Sequence, residues 1–452
     1  MCGLNFVASR ARYLVEGMNQ AIKHRGLSSG VLEGPYFTMG HVRLPIVGLS
    51  HEFNQPYRRN GWTFLFVGEI VNFKELDPEA ESDVQVLADL WAEEGPSCVR
   101  KFDGFWSIVA VADLMPHVAH IVTDFLAKKP LYIRQEGDLV AVSSEIRALT
   151  LEAFPRVIKD TAYFSSVRKW GYHMGSRTWA WQVRKIPPGA YVRIERNPFE
   201  TKVSVDERFD EVTPQKNVDL RQSLVDAIRR RVLASDVPLS LLVSGGLDSS
   251  IIYQVARGLT DNLVLYHVDN DEAEFLEMLN PTHEVRKISF EDQDLDDVLR
   301  ANEGPVDLGS MLQQRALGKA VTERVCLSGD GADEVFGGYR RTAIYDSQGS
   351  DIYDELVYYH LPRLDKMMMA GTVELRCPFL ARDVLAGALG LPYERRVDKV
   401  HLRDLFTDIL PEPIAHGPKR PLKSSQVVEN AVQWRYELCD TFEQMVDAGV
   451  VT

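Results

Sequence analysis

The sequence of 452 residues gives little sign of disulfide bonds, of membrane spans or of secretion. Its five cysteines are scattered, odd in number and without metal-ligand spacing, so we expect neither a disulfide framework nor a cysteine metal site. No apolar run approaches the roughly 18 residues that a membrane span needs. The N-terminus lacks the basic start and long apolar stretch of a secretory signal. These absences predict a protein of the reducing cytoplasm with no membrane partner.

Basic residues are fewer than acidic ones. Lysine and arginine together number 51 against 65 acidic residues, which gives a formal net charge of −14. Because binding to nucleic-acid phosphates requires a basic footprint, we expect no nucleic-acid partner. The remaining composition is that of an ordinary globular protein, with 45% apolar residues. The chain is too long for one hydrophobic core, so two domains are expected.

The pattern of short apolar runs changes near the middle of the chain. Up to about residue 195, β-rich runs alternate with turns, and helical patterns interrupt them at about 11–23 and 82–93. This pattern predicts a layered α+β domain with mostly antiparallel sheets over residues 2–196. A polar, uneven stretch, Asn197–Lys216, is the best candidate for a linker.

Strands and helices alternate in the second part, which predicts an α/β domain with a parallel, doubly wound sheet over residues 216–445. Its clearest strands are Leu239–Val243, Leu263–Val268 and Val325–Leu327. In such sheets ligands bind at the carboxyl ends of the strands. We therefore expect the loops after these three strands to form a binding site.

A glycine turn follows the first of these strands, in the segment Ser244-Gly-Gly-Leu-Asp-Ser249. Two glycines let backbone amides approach an anion closely, and the following helix N-terminus adds N–H groups and a favourable dipole. Asp248 repels a bare phosphate but suits a magnesium ion that bridges phosphate oxygens. The Gly-x-x-x-x-Gly-Lys-Ser/Thr pattern of P-loop kinases is absent from the sequence. A turn that only caps a helix is the alternative interpretation.

The segment resembles the signature of the ATP pyrophosphatase (PP-loop) family. This resemblance implies that ATP is cleaved to AMP and pyrophosphate. An acidic loop after Leu327 agrees with it, since Asp330, Asp333 and Glu334 stand within five residues at the same expected sheet edge. Clustered carboxylates repel one another unless a cation or a cationic substrate is present. A solvated acidic surface loop is the alternative interpretation here.

The loop Ser328–Tyr339 reads Ser-Gly-Asp-Gly-Ala-Asp-Glu-Val-Phe-Gly-Gly-Tyr and resembles the synthetase half of asparagine synthetases. The likeness continues through Gly371–Leu380, then through Lys399 and Leu402-Arg403, and through Gly417-Pro-Lys419.

Several residue roles follow from this resemblance. It implies that Asp248 and Asp333 hold magnesium and pyrophosphate, that Asp330 faces the acceptor substrate, and that Lys419 neutralises charge developing on the phosphates. Taken alone, Lys419 is as well explained as a solvated surface lysine. The residues implied to line ATP are Val243, Ser244, Gly245, Gly246, Asp248, Ser249, Val268, Ser328 and Gly329.

A second candidate site begins with Cys2, directly after the initiator methionine. Removal of Met1 would place a free α-amine and a thiol on one residue, so that nucleophile and base form a single unit. The sequence that follows contains His24-Arg-Gly-Leu, then Gly40-His-Val-Arg43, then Gly68-Glu69, then Ser82-Asp83. In this order the blocks resemble the class II glutamine amidotransferases that precede asparagine synthetase domains.

This second resemblance implies an Ntn-type αββα sandwich and a glutaminase site. Arg43 would bind the glutamine carboxylate through two hydrogen bonds, and Glu69 and Asp83 would bind its α-ammonium and amide. Cys2 would be the nucleophile, and the N–H of Gly68 would be one donor of the oxyanion hole. Any one of these residues alone is as well explained by a surface ion pair.

Two departures from the family pattern affect these expectations. The family has Asn-Gly-Glu where this chain has Val67-Gly68-Glu69. Valine cannot donate a hydrogen bond to the oxyanion. A nearby group such as Asn72 is a candidate for the missing donor. The segment between Val268 and His283 is also shorter than usual, which bears on the acceptor pocket.

The sequence therefore predicts a glutamine-dependent ligase that uses ATP and magnesium to convert a carboxylic acid, by default aspartate, into its amide through an acyl-adenylate. Its expected partners are small-molecule substrates, and a homodimer is compatible with this prediction. Amidation of another acid in specialised metabolism and ring closure of the β-lactam-forming kind remain open. Two further alternatives are a non-catalytic regulatory relative and a PP-loop enzyme that modifies tRNA, although the acidic charge argues against the latter.

Overall fold

The computed structural model describes residues 2–268, 273–288, 294–339, 352–417 and 431–451. The first part of the chain forms two six-stranded antiparallel sheets, ordered β10-β8-β9-β1-β3-β2 and β12-β11-β7-β6-β5-β4. The strands of these sheets are β1 Gly3–Val7, β2 Ser28–Glu33, β3 Thr38–Arg43, β4 Tyr57–Arg59, β5 Trp62–Ile70, β6 Gly104–Ala112, β7 Val118–Thr123, β8 Tyr132–Glu136, β9 Leu139–Ser143, β10 Val183–Lys185, β11 Tyr191–Arg196 and β12 Thr201–Asp206.

The two sheets pack face to face, and helices cover both outer faces. Inward-facing residues of both sheets, such as Phe6, Leu65 and Val109, form one apolar cluster between them. Helix α1 (Arg12–Ala21) packs on β1 and β3, and helix α2 (Asp83–Glu94) packs on β5. Because strands in such a sandwich are covered on both faces, β6 is buried along its whole length. The αββα prediction is confirmed.

The second part contains a five-stranded parallel sheet in the order β15-β14-β13-β16-β17. Its order reverses beside the first strand, β13, so the carboxyl ends of β13 and β16 flank a topological switch point where ligands bind in such folds. The doubly wound prediction is confirmed. The strands are β13 Leu239–Leu242, β14 Leu263–Val268, β15 Glu284–Ile288, β16 Val325–Leu327 and β17 Glu374–Arg376.

Helices surround this sheet and connect its strands. The longer ones that follow α2 in the chain are α3 Thr161–Trp170, α4 Leu220–Leu233, α5 Leu247–Ala256, α6 Ala273–Met278, α7 Leu295–Asn302, α8 Leu308–Ala320, α9 Leu361–Met369, α10 Arg382–Leu389, α11 Val400–Leu405 and α12 Ala431–Asp447. Short helical turns also occur, at Phe73–Leu76, Ala332–Val335, Ile352–Glu355, Leu356–His360, Tyr393–Arg396 and Glu412–Ala415. Among the described residues no helix is both long and apolar enough to cross a membrane.

The linker prediction for Asn197–Lys216 is wrong in its first half. Strand β12 occupies Thr201–Asp206 and pairs with β11 along its full length, so the first domain continues to Asp206. The strand is mostly exposed at a sheet edge, and its polar sequence therefore looks like a linker.

The C-terminal helix α12 returns to the first domain. It packs on α3, and its Phe442 ring contacts the rings of Phe164 and Trp179. Helix α12 therefore holds the two domains together at the end of the chain. It ends at Asp447, two residues beyond the predicted domain end at residue 445.

A buried ion pair also joins the domains. The Arg231 guanidinium on α4 donates to Asp103 Oδ1 over 2.9 Å, and the Arg231 side chain is only 1% exposed. Arg230 approaches the same carboxylate at 3.3 Å. Burial alone would raise the pKa of Asp103, but the two arginines outweigh it and hold the pKa below its usual value.

We expect Asp103→Asn to lower the free energy of unfolding by about 3–5 kcal/mol, because Arg231 would be left buried without its counter-charge. Urea denaturation at pH 7 measures this loss. The folded pKa of Asp103 lies below that of the unfolded chain, so the stabilisation is present at neutral pH and fades as the pH falls through the folded pKa. Asp89→Asn, which breaks the exposed pair with Arg59, is the control and should cost about 0–1 kcal/mol. Equal losses in the two variants would contradict this account of the interface.

Candidate active sites

Five predicted residues line one small cavity in the first domain: Cys2, Arg43, Gly68, Glu69 and Asp83. Cys2 precedes β1, Arg43 ends β3, the glycine and glutamate lie near the end of β5, and Asp83 begins α2. The sandwich thus brings together, at one end of both sheets, residues that are up to 81 positions apart in sequence.

Arg43 is buried, and its hydrogen bonds go to neutral acceptors. Its Nη1 donates to the Ser50 carbonyl at 2.8 Å and to Asn54 Oδ1 at 2.9 Å, and Nη2 donates to the Gly48 carbonyl. Among the described residues, none forms an ion pair with Arg43. Burial lowers the pKa of this guanidinium. A cation oriented in this way, without an ion-pair partner, fits the carboxylate of a ligand.

Glu69 and Asp83 provide the opposite charge in the same cavity. Burial raises the pKa of Asp83 to about 6, and burial together with the Asp83 charge raises the pKa of Glu69 well above its usual value. Two adjacent carboxyl groups share a proton unless a cation separates their charges. The pair therefore suits a ligand ammonium group, beside an arginine that suits a carboxylate. Together they match the two charged groups of an α-amino acid.

Val67 is buried in the core between the sheets, and its side chain has no hydrogen-bond donor. Gly68 adopts a φ of +123°, and a Cβ there would lie 1.9 Å from the Phe105 carbonyl oxygen, so only glycine fits. The Asn72 side chain donates to the Lys101 carbonyl and accepts from the Asp103 N–H. It is not among the residues that line the cavity. The alternative that Asn72 replaces the missing donor is therefore wrong.

The second site is a cleft of about 370 Å³ at the carboxyl edge of the parallel sheet. It lies at the switch point between β13 and β16, whose following loops are two of the three that the sequence analysis expected to form a binding site. The predicted residues that line it are Val243, Ser244, Gly246, Asp248, Ser249, Ser328, Gly329, Asp330 and Asp333.

Three predicted residues do not line the described cleft. Gly245 lies in the turn itself with a φ of +88°, a conformation that favours glycine. Val268 is the last residue of β14, and the chain after it is described again from Ala273. Lys419 lies outside the described residues.

The glycine turn leads directly into α5. The Ser244 hydroxyl accepts a hydrogen bond from the Gly246 N–H at 3.1 Å and lies 3.3 Å from the Ser249 hydroxyl, which fixes the turn. The helix N-cap is Gly246, which has no side chain to occupy the first amide groups of the helix. The start of α5 therefore presents backbone N–H groups that can bind phosphate oxygens.

Lys399 lies between the two carboxylates that the resemblance assigned to metal. Its Nζ is 2.5 Å from Asp248 Oδ2 and 2.6 Å from Asp333 Oδ1. Burial alone would lower the pKa of Lys399, but the two carboxylates outweigh it and raise the pKa, so the group is an ammonium. The sequence analysis gave Lys399 no role. The signal that could have found it is its place in the stretch that resembles asparagine synthetases.

This ammonium shows that the space between Asp248 and Asp333 suits a cation. Two carboxylates alone are fewer than the six oxygen ligands that Mg²⁺ prefers, so the phosphates and water would have to complete its shell. No group of three or more histidine, cysteine, aspartate or glutamate side chains forms a metal cluster among the described residues. The donor set therefore fits magnesium that arrives with a nucleotide.

The far end of the cleft contains residues that the sequence analysis did not single out. Helix α8 contributes Gln314, and the segment through the start of α9 contributes His360 and Arg363. Polar side chains on helices carry no recognisable motif, so the sequence offered little signal for them.

Two family models together match nearly the whole chain. A model described as a glutamine amidotransferase domain matches residues 1–204. A model described as asparagine synthase matches residues 219–351 and 343–449.

Curated relatives agree with these matches. A probable glutamine-hydrolysing asparagine synthetase of Schizosaccharomyces pombe is 28% identical, with 84% of this chain and 73% of the relative covered. The glutamine-hydrolysing asparagine synthetase B of Escherichia coli is 27% identical, with 89% and 77% covered. A solved glutamine phosphoribosylpyrophosphate amidotransferase from B. subtilis is 15% identical with a TM-score of 0.35, and the alignment covers 77% of this chain and 90% of that one.

We expect the mature protein to begin at Cys2, and a glutamine-mimicking electrophile to label that thiol alone. Burial raises the pKa of the Cys2 thiol, so activation requires a base, and the freed α-amine would be that base. Burial also raises the pKa of Cys98, Cys326 and Cys439 to about 12, and these thiols lie outside the cavity. Intact-mass and peptide mass spectrometry test both points, with Cys2→Ser and Cys98→Ser as the paired variants. Retention of Met1, or labelling that survives Cys2→Ser, would contradict the assignment.

Proposed function

Because the chain belongs to the asparagine synthase family and is a glutamine-hydrolysing ligase that forms a C–N bond, we propose that it converts aspartate to asparagine through an acyl-adenylate. The observation that carries the proposal is the pair of cavities in one chain. One combines a nucleophile with charges that suit an amino acid, and the other combines a phosphate-binding turn with an acidic loop.

In the first step, glutamine would bind with its carboxylate on Arg43 and its α-ammonium between Glu69 and Asp83. The Cys2 thiolate would attack the side-chain carbonyl, with the α-amine of the same residue taking the proton. The Gly68 N–H would stabilise the oxyanion. The α-ammonium would return that proton to the amide nitrogen, which leaves as ammonia, and water would then release glutamate from the thioester.

Ammonia would then pass inside the protein, and Arg376 contacts a lining residue of each cavity. The Arg376 guanidinium lies 4.0 Å from Glu69 Oε1 in the first cavity. Its backbone carbonyl accepts a hydrogen bond from the Ser328 N–H of the second cavity at 3.0 Å. This buried contact between the linings of the two cavities supports direct transfer over release into water.

In the second step, the acceptor carboxylate would attack the α-phosphate of ATP and pyrophosphate would leave. Ammonia would then displace AMP from the acyl-adenylate. The start of α5, after the turn at Ser244–Gly246, would bind the phosphates through its backbone N–H groups. Asp248 and Asp333 would hold magnesium, which would supply positive charge to the pyrophosphate. Lys399, already placed between these carboxylates, would then turn its ammonium to the phosphate oxygens, and Lys419 is proposed to add a further positive charge.

Two alternatives remain distinguishable. Amidation of another carboxylic acid uses the same two cavities, so a screen of acids for stimulated pyrophosphate release separates it from the aspartate reaction. A non-catalytic relative would not need an intact nucleophile. Cys2 lines one cavity and Asp248 and Asp333 line the other, which favours an enzyme.

We expect ATP to be cleaved to AMP and pyrophosphate, and Asp248→Asn and Asp333→Asn each to reduce turnover by about a thousandfold or more. Removing one carboxylate leaves charge on the phosphates unbalanced, at a cost of several kcal/mol. Chromatography of labelled nucleotide products measures both. Asp261→Asn, exposed before β14 at the opposite edge of the same sheet, is the matched control and should keep full activity. Formation of ADP and phosphate would overturn the proposed reaction.

We also expect glutamine to be a poorer nitrogen source than free ammonia. With Val67 in place of a side-chain donor, the oxyanion hole keeps only the Gly68 N–H, and loss of one donor typically costs about 10²–10³ in rate. Glutamine binding should survive, because Arg43, Glu69 and Asp83 do not depend on position 67. The test compares saturating glutamine with ammonium salts in the wild type, in Val67→Asn and in Val67→Ala.

Only Val67→Asn restores a donor, so only this variant should raise the glutamine rate, while Val67→Ala controls for the change in packing. Equal wild-type rates with the two nitrogen sources, unchanged in Val67→Asn, would show that the hole has another donor.

A further inference from the structure

Arg43 is held by the loop that follows β3, residues 44–54, which we call the arginine loop. The guanidinium donates to the Gly48 and Ser50 carbonyls and to the Asn54 side chain of this loop. A planar guanidinium binds a carboxylate through two parallel hydrogen bonds, which requires one orientation of its plane. The conformation of the arginine loop therefore determines how well Arg43 can bind a carboxylate.

The second domain contacts the arginine loop from the amino edge of its parallel sheet. Asp236 comes shortly before β13, and its Oδ2 accepts a hydrogen bond from the Gly48 N–H at 2.8 Å. The Asp236 N–H donates to the Ile46 carbonyl at 3.0 Å. Arg324 comes directly before β16, and its Nη1 donates to the Pro45 carbonyl at 3.0 Å. The backbone of the loop is thus bound to residues of the other domain.

Apolar side chains at the start of the loop are buried. Leu44, Ile46 and Val47 are at most 7% exposed, and they belong to the same apolar cluster as Leu239 and Val325, which begin β13 and β16. Burial of this kind fixes where the loop lies, but the hydrophobic effect has no preferred direction. The orientation of each peptide group is therefore set by its hydrogen bonds.

Gly48 connects Asp236 with Arg43. Its N–H donates to the Asp236 carboxylate, and its carbonyl accepts from Arg43 Nη2. It adopts a φ of +59°, and a Cβ there would lie 2.7 Å from atoms of Phe53 and Ser82. Because glycine has more conformational freedom than any other residue, a fixed partner on its N–H narrows the conformations that it adopts. A carboxylate of the second domain thus restrains the carbonyl that orients the guanidinium.

We propose that Asp236 is a positioning residue for glutamine recognition, which therefore requires both domains. Asp236 holds Gly48, and Gly48 holds the Arg43 guanidinium in the orientation that binds the glutamine carboxylate. Arg324 supports the same loop at Pro45. The inference rests on the proposed glutaminase function and adds to it a residue from outside the amidotransferase domain. Asp236 itself is exposed, so its replacement leaves no cavity in the core.

Steady-state glutaminase kinetics of the full-length protein test the inference. Asp236→Ala should raise the KM for glutamine by about tenfold and change kcat by less than about twofold, because loss of a contact that aids binding of ground state and transition state alike raises KM alone. Asp236→Asn, whose amide oxygen can accept from the same N–H, should stay within about threefold of the wild-type KM. An unchanged KM in Asp236→Ala, or equal impairment in Asp236→Asn, would overturn the inference.

Asp261→Ala is the matched control. Asp261 is likewise an exposed aspartate shortly before a strand, β14, at the same sheet edge, and within the described ranges it forms no hydrogen bond with the first domain. Its replacement should leave the KM for glutamine at the wild-type value. A rise equal to that in Asp236→Ala would trace the effect to surface charge and contradict the inference. Near-ultraviolet circular dichroism and the ammonia-dependent rate of AMP formation, both expected to be unchanged, check that the variants are folded.

A double-mutant cycle shows whether Asp236 acts through Arg43. Arg43→Met removes the group that Asp236 positions, so adding Asp236→Ala to it should lower kcat/KM for glutamine by less than about twofold, against about tenfold in the wild-type background. Equal factors in the two backgrounds would show independent action and contradict the inference.

Failure of this inference can be told apart from failure of the proposed function. If Arg43→Met leaves the KM for glutamine unchanged, the proposed glutaminase site is wrong and this inference falls with it. If Arg43→Met raises the KM and Asp236→Ala does not, the glutaminase site stands and the role of Asp236 is wrong.

Discussion

Arg376 is fully buried at the end of β17, and the relation between the two cavities depends on the contacts it makes there. Its guanidinium donates to the Glu374 carboxylate and to the Arg231 carbonyl of α4, and it lies beside Glu69 of the first cavity. Its backbone carbonyl binds the Ser328 N–H of the second cavity. Through these contacts a buried residue links the lining of one cavity to the lining of the other. Movement of one domain against the other would break several buried hydrogen bonds at once.

Both cavities follow the same electrostatic arrangement. Each contains an arginine whose hydrogen bonds to the described residues go to neutral acceptors, Arg43 in one and Arg363 in the other. Each also contains a pair of carboxylates held close together. In the first cavity burial raises the pKa values of both Glu69 and Asp83, and in the second Lys399 lies between the two groups. Unbalanced charges of this kind are costly to the folded protein and favour ligands of the opposite charge, which is why perturbed groups concentrate in binding sites.

The extent of the sequence prediction differed between the two kinds of site. The cysteine cavity contains all five of its predicted residues because each stood in a short recognisable block. The cleft contains nearly all of the loop residues predicted for it, because strand ends in a parallel sheet must meet at one edge. Gln314 and Arg363 were missed, since a polar residue on a helix has no local pattern that separates a cleft wall from a solvated face.

The sequence by itself determined the two folds, their order and the loops that carry the chemistry, because hydrophobic periodicity and glycine turns act over a few residues. Only the tertiary structure decided which groups meet across domains and helices. Asn72 is adjacent to the glutaminase motif, yet its side-chain amide forms hydrogen bonds with the backbone of Lys101 and Asp103. Lys399 is 151 positions from Asp248, yet the two groups are in contact. Such contacts depend on how whole elements pack, and packing is set by the sum of many distant interactions that no short segment of sequence records.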